Sequence, residues 1–219
     1  MKGKEDKTYM GERGDVLAFI RWAEREGYLP RHNFDYSEVV SLKLSPGDRE
    51  TCSPDDLAKL IVAAEHLRDQ VCISLGAHAG IRHEEIEKFI LRFVDFKNRV
   101  ISMPPFYGEV RINKVPVGRK IPIQPVLYNR LKRLSDEGFP ADQPVMRVAD
   151  WGKRLRRIKK NACVRLPQNA FRHGYGSHRL QLTQSEGATA LEMGTSREHL
   201  RDNYAIPQDE HVSLAWFAV

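Results

Sequence analysis

The spacing of apolar residues is helical along most of the chain and changes between residues 99 and 123. Outside that stretch, apolar residues recur every three or four positions, as in SPDDLAKLIVAAEHL at 53–67. Inside it lie three short β-like segments, RVISM, GEVRIN and RKIPI, with turns between them. This pattern predicts a mainly α-helical fold that carries one small antiparallel β-sheet, and therefore an α+β class.

The first helical segment of the main domain begins with recognisable signals. Ser53 is a candidate N-cap, Pro54 occupies the first helical position, and two aspartates follow. Residues 69–80 predict a largely apolar and therefore central helix, and residues 81–93 predict another helix. After the sheet, helices are predicted over residues 126–138, 148–163, 169–182, 187–194, 196–204 and 210–219.

The N-terminal part of the chain differs from this pattern. Residues 15–26 have helical spacing, whereas the stretch from there to about residue 50 has no clear period and is interpreted as a linker. One helix cannot bury its own apolar face, so this segment must pack on another surface. We therefore divide the chain into an N-terminal part, 1–49, and a main domain, 50–219.

Composition narrows the classes of partner. The 219 residues carry a net charge of +6 with a pI near 9.3, which favours an anionic partner, with nucleic acid first. Three widely spaced cysteines without a CxxC pair predict neither a disulfide framework nor a zinc site. A reducing cytoplasm is the simplest location, and no apolar stretch approaches the 18 residues typical of a membrane span.

Four residues are candidates for chemistry. Arg82 lies in GAHAGIRHEEI, Arg172 in NAFRHGYGSH, Lys114 at the start of the predicted hairpin tip KVPVGRKIPI, and Tyr204 at the end of MGTSREHLRDNY. Taken singly, each basic residue is more simply interpreted as a surface salt-bridge residue, because such pairs are common and weak.

Taken together and in this order, these stretches resemble the catalytic domain of the tyrosine recombinases, the phage integrase family. GIRHEEI is similar to the first box of that family, which matches Arg82 to the first catalytic arginine and Glu85 to the acidic residue that supports it. NAFRHGYGSHRL is similar to the second box and matches Arg172 to the second catalytic arginine. The hairpin and the last box match Lys114 to the hairpin lysine and Tyr204 to the nucleophile.

The resemblance runs from about residue 51 to the end of the sequence, and residues 15–30 further resemble the last helix of the family's DNA-clasping, or core-binding, N-terminal domain. It implies a site-specific DNA recombinase or integrase that cleaves and rejoins DNA through a covalent phosphotyrosyl intermediate. The expected partner is double-stranded DNA. The protein is expected to form a homo-oligomer, a tetramer, on DNA and to be a monomer in the absence of DNA. The resemblance implies no cofactor and no metal. The expected location is the cytoplasm, in association with the nucleoid.

The residue types fit that chemistry. Two guanidiniums can hold the non-bridging oxygens of a phosphodiester with forked hydrogen bonds and stabilise charge in the transition state. Attack by Tyr204 would form the phosphotyrosyl link, and Lys114 on the hairpin is the expected proton donor to the leaving oxygen.

Two positions depart from the family pattern. Asn169 stands where the second box usually has histidine, and Thr195 stands where the last box usually has histidine or tryptophan. Asparagine cannot carry a proton, and threonine offers only a short hydroxyl. His173, the supporting residue of the second box, and His199 are the imidazoles near these positions. The departures leave open a degenerate integrase-like module that binds DNA without cleaving it. A helical protein-interaction domain with coincidental boxes is a more remote alternative.

Two further segments have alternative interpretations. Residues 148–163 are predicted to form an amphipathic helix whose polar face carries Lys153, Arg157 and Lys160, with Arg154 nearer the edge of that face. That face is either simply solvated or contacts DNA phosphates. The apolar segment 210–219 either covers its own domain or docks on a neighbouring subunit.

Overall fold

The structure is a computed structural model that describes residues 2–30, 51–108, 110–112, 118–147, 149–204 and 206–219. It divides into two compact units, Met1–Asp48 and Arg49–Val219. The helices are α1 (Lys2–Arg25), α2 (Pro54–Ala63), α3 (Leu67–Ala79), α4 (His83–Ile86), α5 (Pro125–Asp136), α6 (Asp150–Asn161), α7 (Ala170–Thr183), α8 (Glu186–Met193), α9 (Arg197–Asn203) and α10 (Glu210–Ala218). The strands are β1 (Val94–Asp95), β2 (Val100–Met103), β3 (Phe106–Tyr107), β4 (Val110–Arg111) and β5 (Arg119–Pro122). The predicted α+β class is confirmed.

The first unit contains the helix α1, which begins well before the predicted start at residue 15. Near its end, the ring of Trp22 lies 5.4 Å from that of Tyr28, measured between centroids. Most of the predicted linker, residues 31–50, lies outside the described residues, and the relation of this unit to a DNA-clasping domain stays a prediction. Within the described residues, no helix is both long enough and apolar enough to cross a membrane.

The core of the second unit is built around α3. The α2 helix that precedes it is capped as predicted, with the Ser53 hydroxyl accepting a hydrogen bond from the Asp56 N–H at 3.1 Å. From Val71 to Ala79 every residue of α3 is buried, and the helix packs against α5 and α7. It ends at Gly80, whose φ of +61° a residue with a side chain rarely adopts.

The sheet lies beside this helical core. Strands β1, β2 and β5 form an antiparallel sheet in that order, with Ile101 of β2 opposite Ile121 of β5. Both isoleucines are fully buried, so one face of the sheet is part of the core. Strands β3 and β4 form a separate two-stranded ribbon. Of the predicted hairpin tip, residues 113–117 lie outside the described residues.

One helix prediction was wrong. The helix expected over residues 81–93 is reduced to α4, which covers only His83–Ile86. The backbone then leaves the helical path, and Ile90 forms an isolated antiparallel bridge with Pro144. The apolar residues of this stretch are buried as expected, but tertiary pairing, which the local spacing does not reveal, replaces the later turns of the helix.

The C-terminal helix α10 covers its own domain. Trp216 is completely buried, and its indole N–H donates to the Ala77 carbonyl at 2.8 Å. The His78 ring donates from Nε2 to the Trp216 carbonyl at 3.2 Å, and burial lowers the pKa of His78 to about 3. Of the two interpretations of this segment, the structure therefore supports packing within the chain.

Candidate active site

Arg172 lies on the buried side of α7, with only 3% of its surface exposed. Its guanidinium donates to the carbonyls of Gly80 and Met193, the latter at 2.9 Å, and its Nε–H donates to the Tyr204 hydroxyl at 3.4 Å. Burial, together with the positive charge of Arg82, lowers the pKa of Arg172 to about 10. The group is still protonated at neutral pH, and it is held by partners on three sides.

Arg82 approaches the same point from another element. It is the N-cap of α4, where its backbone N–H donates to the Glu85 carboxylate at 3.0 Å while its Nη1 donates to the other carboxylate oxygen, also at 3.0 Å. Its Nη2 donates to the Gly194 carbonyl at 2.9 Å. Arg82 and Arg172 therefore bond the adjacent carbonyls of Gly194 and Met193, which brings two residues 90 positions apart in sequence to one place.

A third guanidinium, that of Arg119, lies beneath them. It comes from the buried side of β5 and forms an ion pair with Glu85, at 2.5 Å from Nη2 to Oε2. Burial opposes the ionisation of Glu85, but the hydrogen bond and charge of Arg119 and the charge of Arg82 outweigh it and lower the pKa of Glu85 to about 2. We call Arg82, Glu85, Arg119 and Arg172 the arginine floor.

A glycine lies at the turn after α8, beside the arginine floor. Gly194 ends this helix with φ of +62°, and a Cβ atom there would lie 3.0 Å from Cδ of Arg119. A side chain would strain the backbone and push on the arginine floor, so the glycine allows the carbonyls of Met193 and Gly194 to reach the two guanidiniums.

Tyr204 follows α9 directly and points into the same region. It is 8% exposed, and its backbone carbonyl accepts a hydrogen bond from the Ser177 hydroxyl at 2.5 Å. Two imidazoles contact its ring, that of His173 at 4.8 Å and that of His199 at 5.6 Å between centroids. The guanidinium carbon of Arg172 lies 5.4 Å from the same ring centroid. The phenol is thus fixed next to a buried cation.

One cleft with a volume of about 1130 Å³ opens at this point. Arg82, Arg172 and Tyr204 all contribute to its lining. Its remaining polar lining is His83, Glu84, Lys159, Gln168, Asn169, Thr195, Ser196 and His199, and its apolar wall includes Trp151, Leu155 and Leu166. Such a mixture of two guanidiniums, a phenol and neutral donors can bind an oxyanion next to a nucleophile.

Asn169 and Thr195, the two departures from the family pattern, both lie in the cleft. Asn169 is the residue before α7 and has φ of +58°, a conformation that asparagine adopts more easily than most residues. Thr195 follows the Gly194 turn, and its N–H donates to the Ala190 carbonyl at 3.0 Å. Lys114 lies outside the described residues, so its position stays a prediction.

The predicted DNA-binding residues of α6 fall into two groups. Lys153, Arg157 and Lys160 are exposed, and we call these three residues the α6 basic face. Arg154 instead donates from Nε and Nη2 to both carboxylate oxygens of the fully buried Asp69, at 2.6 and 2.8 Å. Its charge is therefore balanced within the protein.

Comparison with solved structures identifies the fold, whereas neither protein-family models nor curated protein sequences give a match. A Tn1549 transposon integrase in complex with transposon right end DNA superposes with a TM-score of 0.64 at 18% identity, over 97% of this chain and 80% of that one. XerH site-specific recombinase, bound to its palindromic difH substrate in a post-cleavage complex, gives 0.64 at 14% identity, over 93% and 67%. XerA recombinase gives 0.59 at 17% identity, over 77% of this chain.

The fold is that of the tyrosine recombinase catalytic domain. The chain spans 64% of the length of XerA recombinase. Within this recombinase fold, the cleft is formed by the segments that carry the three boxes, because Arg82, Arg172 and Tyr204 all line it.

Sequence reasoning missed one member of the arginine floor of this recombinase fold. In the sequence, Arg119 is only the first residue of the β-like segment RKIPI. Its signal is the alternation in β5, where Arg119 and Ile121 point to the buried side and Lys120 and Pro122 point outward. A charged residue on the inward side of a strand predicts a buried partner, but only the structure shows that the partner is Glu85.

Proposed function

We propose that this protein cleaves and rejoins DNA at specific sites through a covalent bond between Tyr204 and a DNA phosphate. The observation that supports the proposal most strongly is the convergence of two guanidiniums and one phenol on a single cleft. Arg82 and Arg172 would hold the non-bridging oxygens of the scissile phosphate. Tyr204, whose hydroxyl already contacts Arg172, would be the nucleophile.

The chemical step exchanges one ester for another. The Tyr204 oxygen forms a bond to phosphorus while the bond from phosphorus to one bridging DNA oxygen breaks. The tyrosine proton passes to solvent, and the leaving DNA oxygen takes a proton, for which Lys114 is the proposed donor. The link keeps the energy of the broken ester, so that attack by a DNA hydroxyl can reverse it without a nucleotide cofactor.

The proposed partner is double-stranded DNA, with several copies of the chain assembled on it. The α6 basic face lies on the helix that supplies one wall of the cleft through Trp151 and Leu155, and we propose that it contacts phosphates beside the cleavage site. Such contacts would add affinity and orientation without reading base sequence.

A second candidate function is DNA binding without cleavage. It is favoured by the identity of Asn169 and Thr195, which line the cleft but cannot exchange a proton near neutral pH. A protein of this kind would keep the arginine floor as a phosphate-binding site.

A nicked suicide substrate separates these functions, because loss of a short fragment after cleavage traps the covalent complex. We expect a protein–DNA adduct that survives denaturation with the unchanged chain and none with Tyr204→Phe. Tyr128→Phe is a matched control, since Tyr128 lies on α5 and does not line the cleft. DNA binding at low salt with no adduct from the unchanged chain would support the binding module and contradict the recombinase proposal.

A further inference from the structure

His199 lies at the edge of the cleft, on the helix that leads to Tyr204. Its side chain is exposed and lines the cleft, and its ring stands nearly edge-on to that of Tyr204, with an interplanar angle of 66°. A bound phosphate at the tyrosine would therefore lie near this imidazole.

A neighbouring amide determines which nitrogen of His199 carries the proton. The side-chain nitrogen Nδ2 of Asn203 lies 3.1 Å from the His199 backbone carbonyl and 3.1 Å from Nδ1 of its ring. A carbonyl oxygen only accepts hydrogen bonds, so the group that faces it is the NH₂ of the amide. That NH₂ then donates to Nδ1 as well, and the neutral ring must carry its proton on Nε2.

His173 is held in the opposite tautomer by the same residue. Its Nδ1 lies 2.9 Å from the backbone carbonyl of Asn203, so Nδ1 carries the proton and donates it. The ring of His173 packs on Tyr204 and is not part of the cleft lining. Asn203 thus assigns different roles to the two imidazoles, with that of His173 supporting the tyrosine ring and that of His199 presenting an N–H donor at the cleft.

The arginine floor leaves room for such a donor. Arg172 already donates from Nε, Nη1 and Nη2 to protein groups, and Arg82 donates from both of its terminal nitrogens. Much of their hydrogen-bonding capacity is therefore committed to fixing their orientation. A neutral donor from the cleft edge would stabilise a phosphate oxygen that the guanidiniums do not fully surround.

We propose that His199 is a catalytic residue which donates its Nε2–H to a non-bridging oxygen of the scissile phosphate. It acts as a hydrogen-bond donor and not as a proton acceptor, because Asn203 occupies the nitrogen that would accept. This inference rests on the proposed function of DNA cleavage through Tyr204.

The first test compares His199→Ala with His199→Gln on the nicked substrate. We expect His199→Ala to slow adduct formation by on the order of 10²-fold, the usual cost of removing one such donor. Glutamine keeps an N–H donor but cannot take up a proton, so His199→Gln should recover most of the rate. His211→Ala, at an exposed histidine outside the cleft, is the matched control and should react like the unchanged chain.

The second test removes the acceptor instead of the donor. Substrates in which a methyl group replaces one non-bridging oxygen exist as two diastereomers. For the diastereomer that lacks the oxygen contacted by His199, the unchanged chain and His199→Ala should react at the same rate. For the other diastereomer, the difference seen with the normal phosphate should persist. A purely structural role for His199 would slow the reaction of all three substrates equally.

The outcomes separate this inference from the proposed function. An unchanged chain that forms no adduct contradicts both. An adduct from the unchanged chain together with an unaltered rate in His199→Ala contradicts only the role of His199. Equal losses in His199→Ala and His199→Gln, with the same ratio on both diastereomers, would also overturn it.

Discussion

The arginine floor and the α6 basic face both concentrate positive charge around one cleft, but they hold it in different ways. On the floor, Arg172 is 3% exposed and Arg119 is paired with a buried carboxylate. On α6, Lys153 and Arg157 are exposed, and their charges are solvated. The floor charges therefore keep one orientation before any ligand binds, whereas the α6 charges take up an orientation only with a partner.

This difference separates two contributions to function. Buried charges cost free energy to desolvate and are tolerated only with well-placed partners, but they need no reorganisation during a reaction. Exposed charges cost little to keep and contribute mainly long-range attraction that salt weakens. We therefore expect changes on the arginine floor to alter chemistry and stability, and changes on the α6 basic face to alter mainly the affinity for DNA.

The largest expected effect is at Arg172. Arg172→Lys keeps the positive charge but loses the planar fork that bonds Met193 and Gly80 at the same time. We expect the rate of adduct formation on the nicked substrate to fall by about 10²–10³-fold. Binding of the same DNA at low salt, measured by fluorescence anisotropy, should change much less.

Arg179→Lys is the matched control, because Arg179 lies on the same helix and forms a forked pair with Glu192 outside the cleft. The folded protein with this change should keep its rate. Equal rates for Arg172→Lys and Arg179→Lys would show that the orientation of the floor does not matter for the chemistry.

A second effect concerns stability. Glu85→Gln leaves Arg119 buried without a counter-charge, and we expect the free energy of unfolding in urea to fall by about 3–5 kcal/mol. The matched control is Glu186→Gln, which removes a carboxylate from an exposed ion pair with Arg201. This change should leave the free energy of unfolding almost unchanged. Similar losses for both variants would contradict the distinction between buried and exposed charge.

The same carboxylate predicts how stability depends on pH. The pKa of Glu85 is lowered from 4.5 to about 2 in the folded protein, so the unfolded chain takes up a proton first as the pH falls. The stabilisation by ionised Glu85 is complete above pH 4.5, amounts to about 3 kcal/mol, and is lost as the pH falls towards 2. Urea unfolding should be measured from pH 7 to pH 3 for the unchanged chain and for Glu85→Gln. The difference between their free energies of unfolding should become smaller below pH 4.5. A constant difference would contradict this assignment.

The contrast between floor and α6 also shows what sequence could and could not predict. Arg82, Arg172 and Tyr204 are singled out by the resemblance of their segments to the boxes of the recombinase family, and all three line one cleft. The helices around them were also predictable, since Ser53 and Pro54 mark a helix start by local chemistry. These features depend on residues that are close together in sequence.

The missed features depend on contacts between distant residues. The pairing of Arg119 with Glu85 joins a strand to a helix, and no local pattern identifies the partner. The chain after α4 leaves the helical path, and Ile90 forms a bridge with Pro144, which is distant in sequence. The sequence places Arg154 near the edge of the polar face of α6, but no local pattern identifies the buried Asp69 with which it pairs.

The smallest expected effects are on α6, and the same helix supplies their control. Lys153→Gln, Arg157→Gln and Lys160→Gln should each weaken DNA binding to a similar extent on any sequence. If each residue neutralises one phosphate, the slope of log affinity against log salt should fall in magnitude by about 0.9 per substitution.

Arg154→Gln should leave that slope unchanged and lower stability instead, since it breaks the pair with Asp69. At saturating DNA the adduct rate should be the same in all four variants. If Arg154→Gln changed the salt slope as much as Arg157→Gln, the ion pair of Arg154 with Asp69 would open on DNA. Arg154 would then belong with the residues that contact DNA.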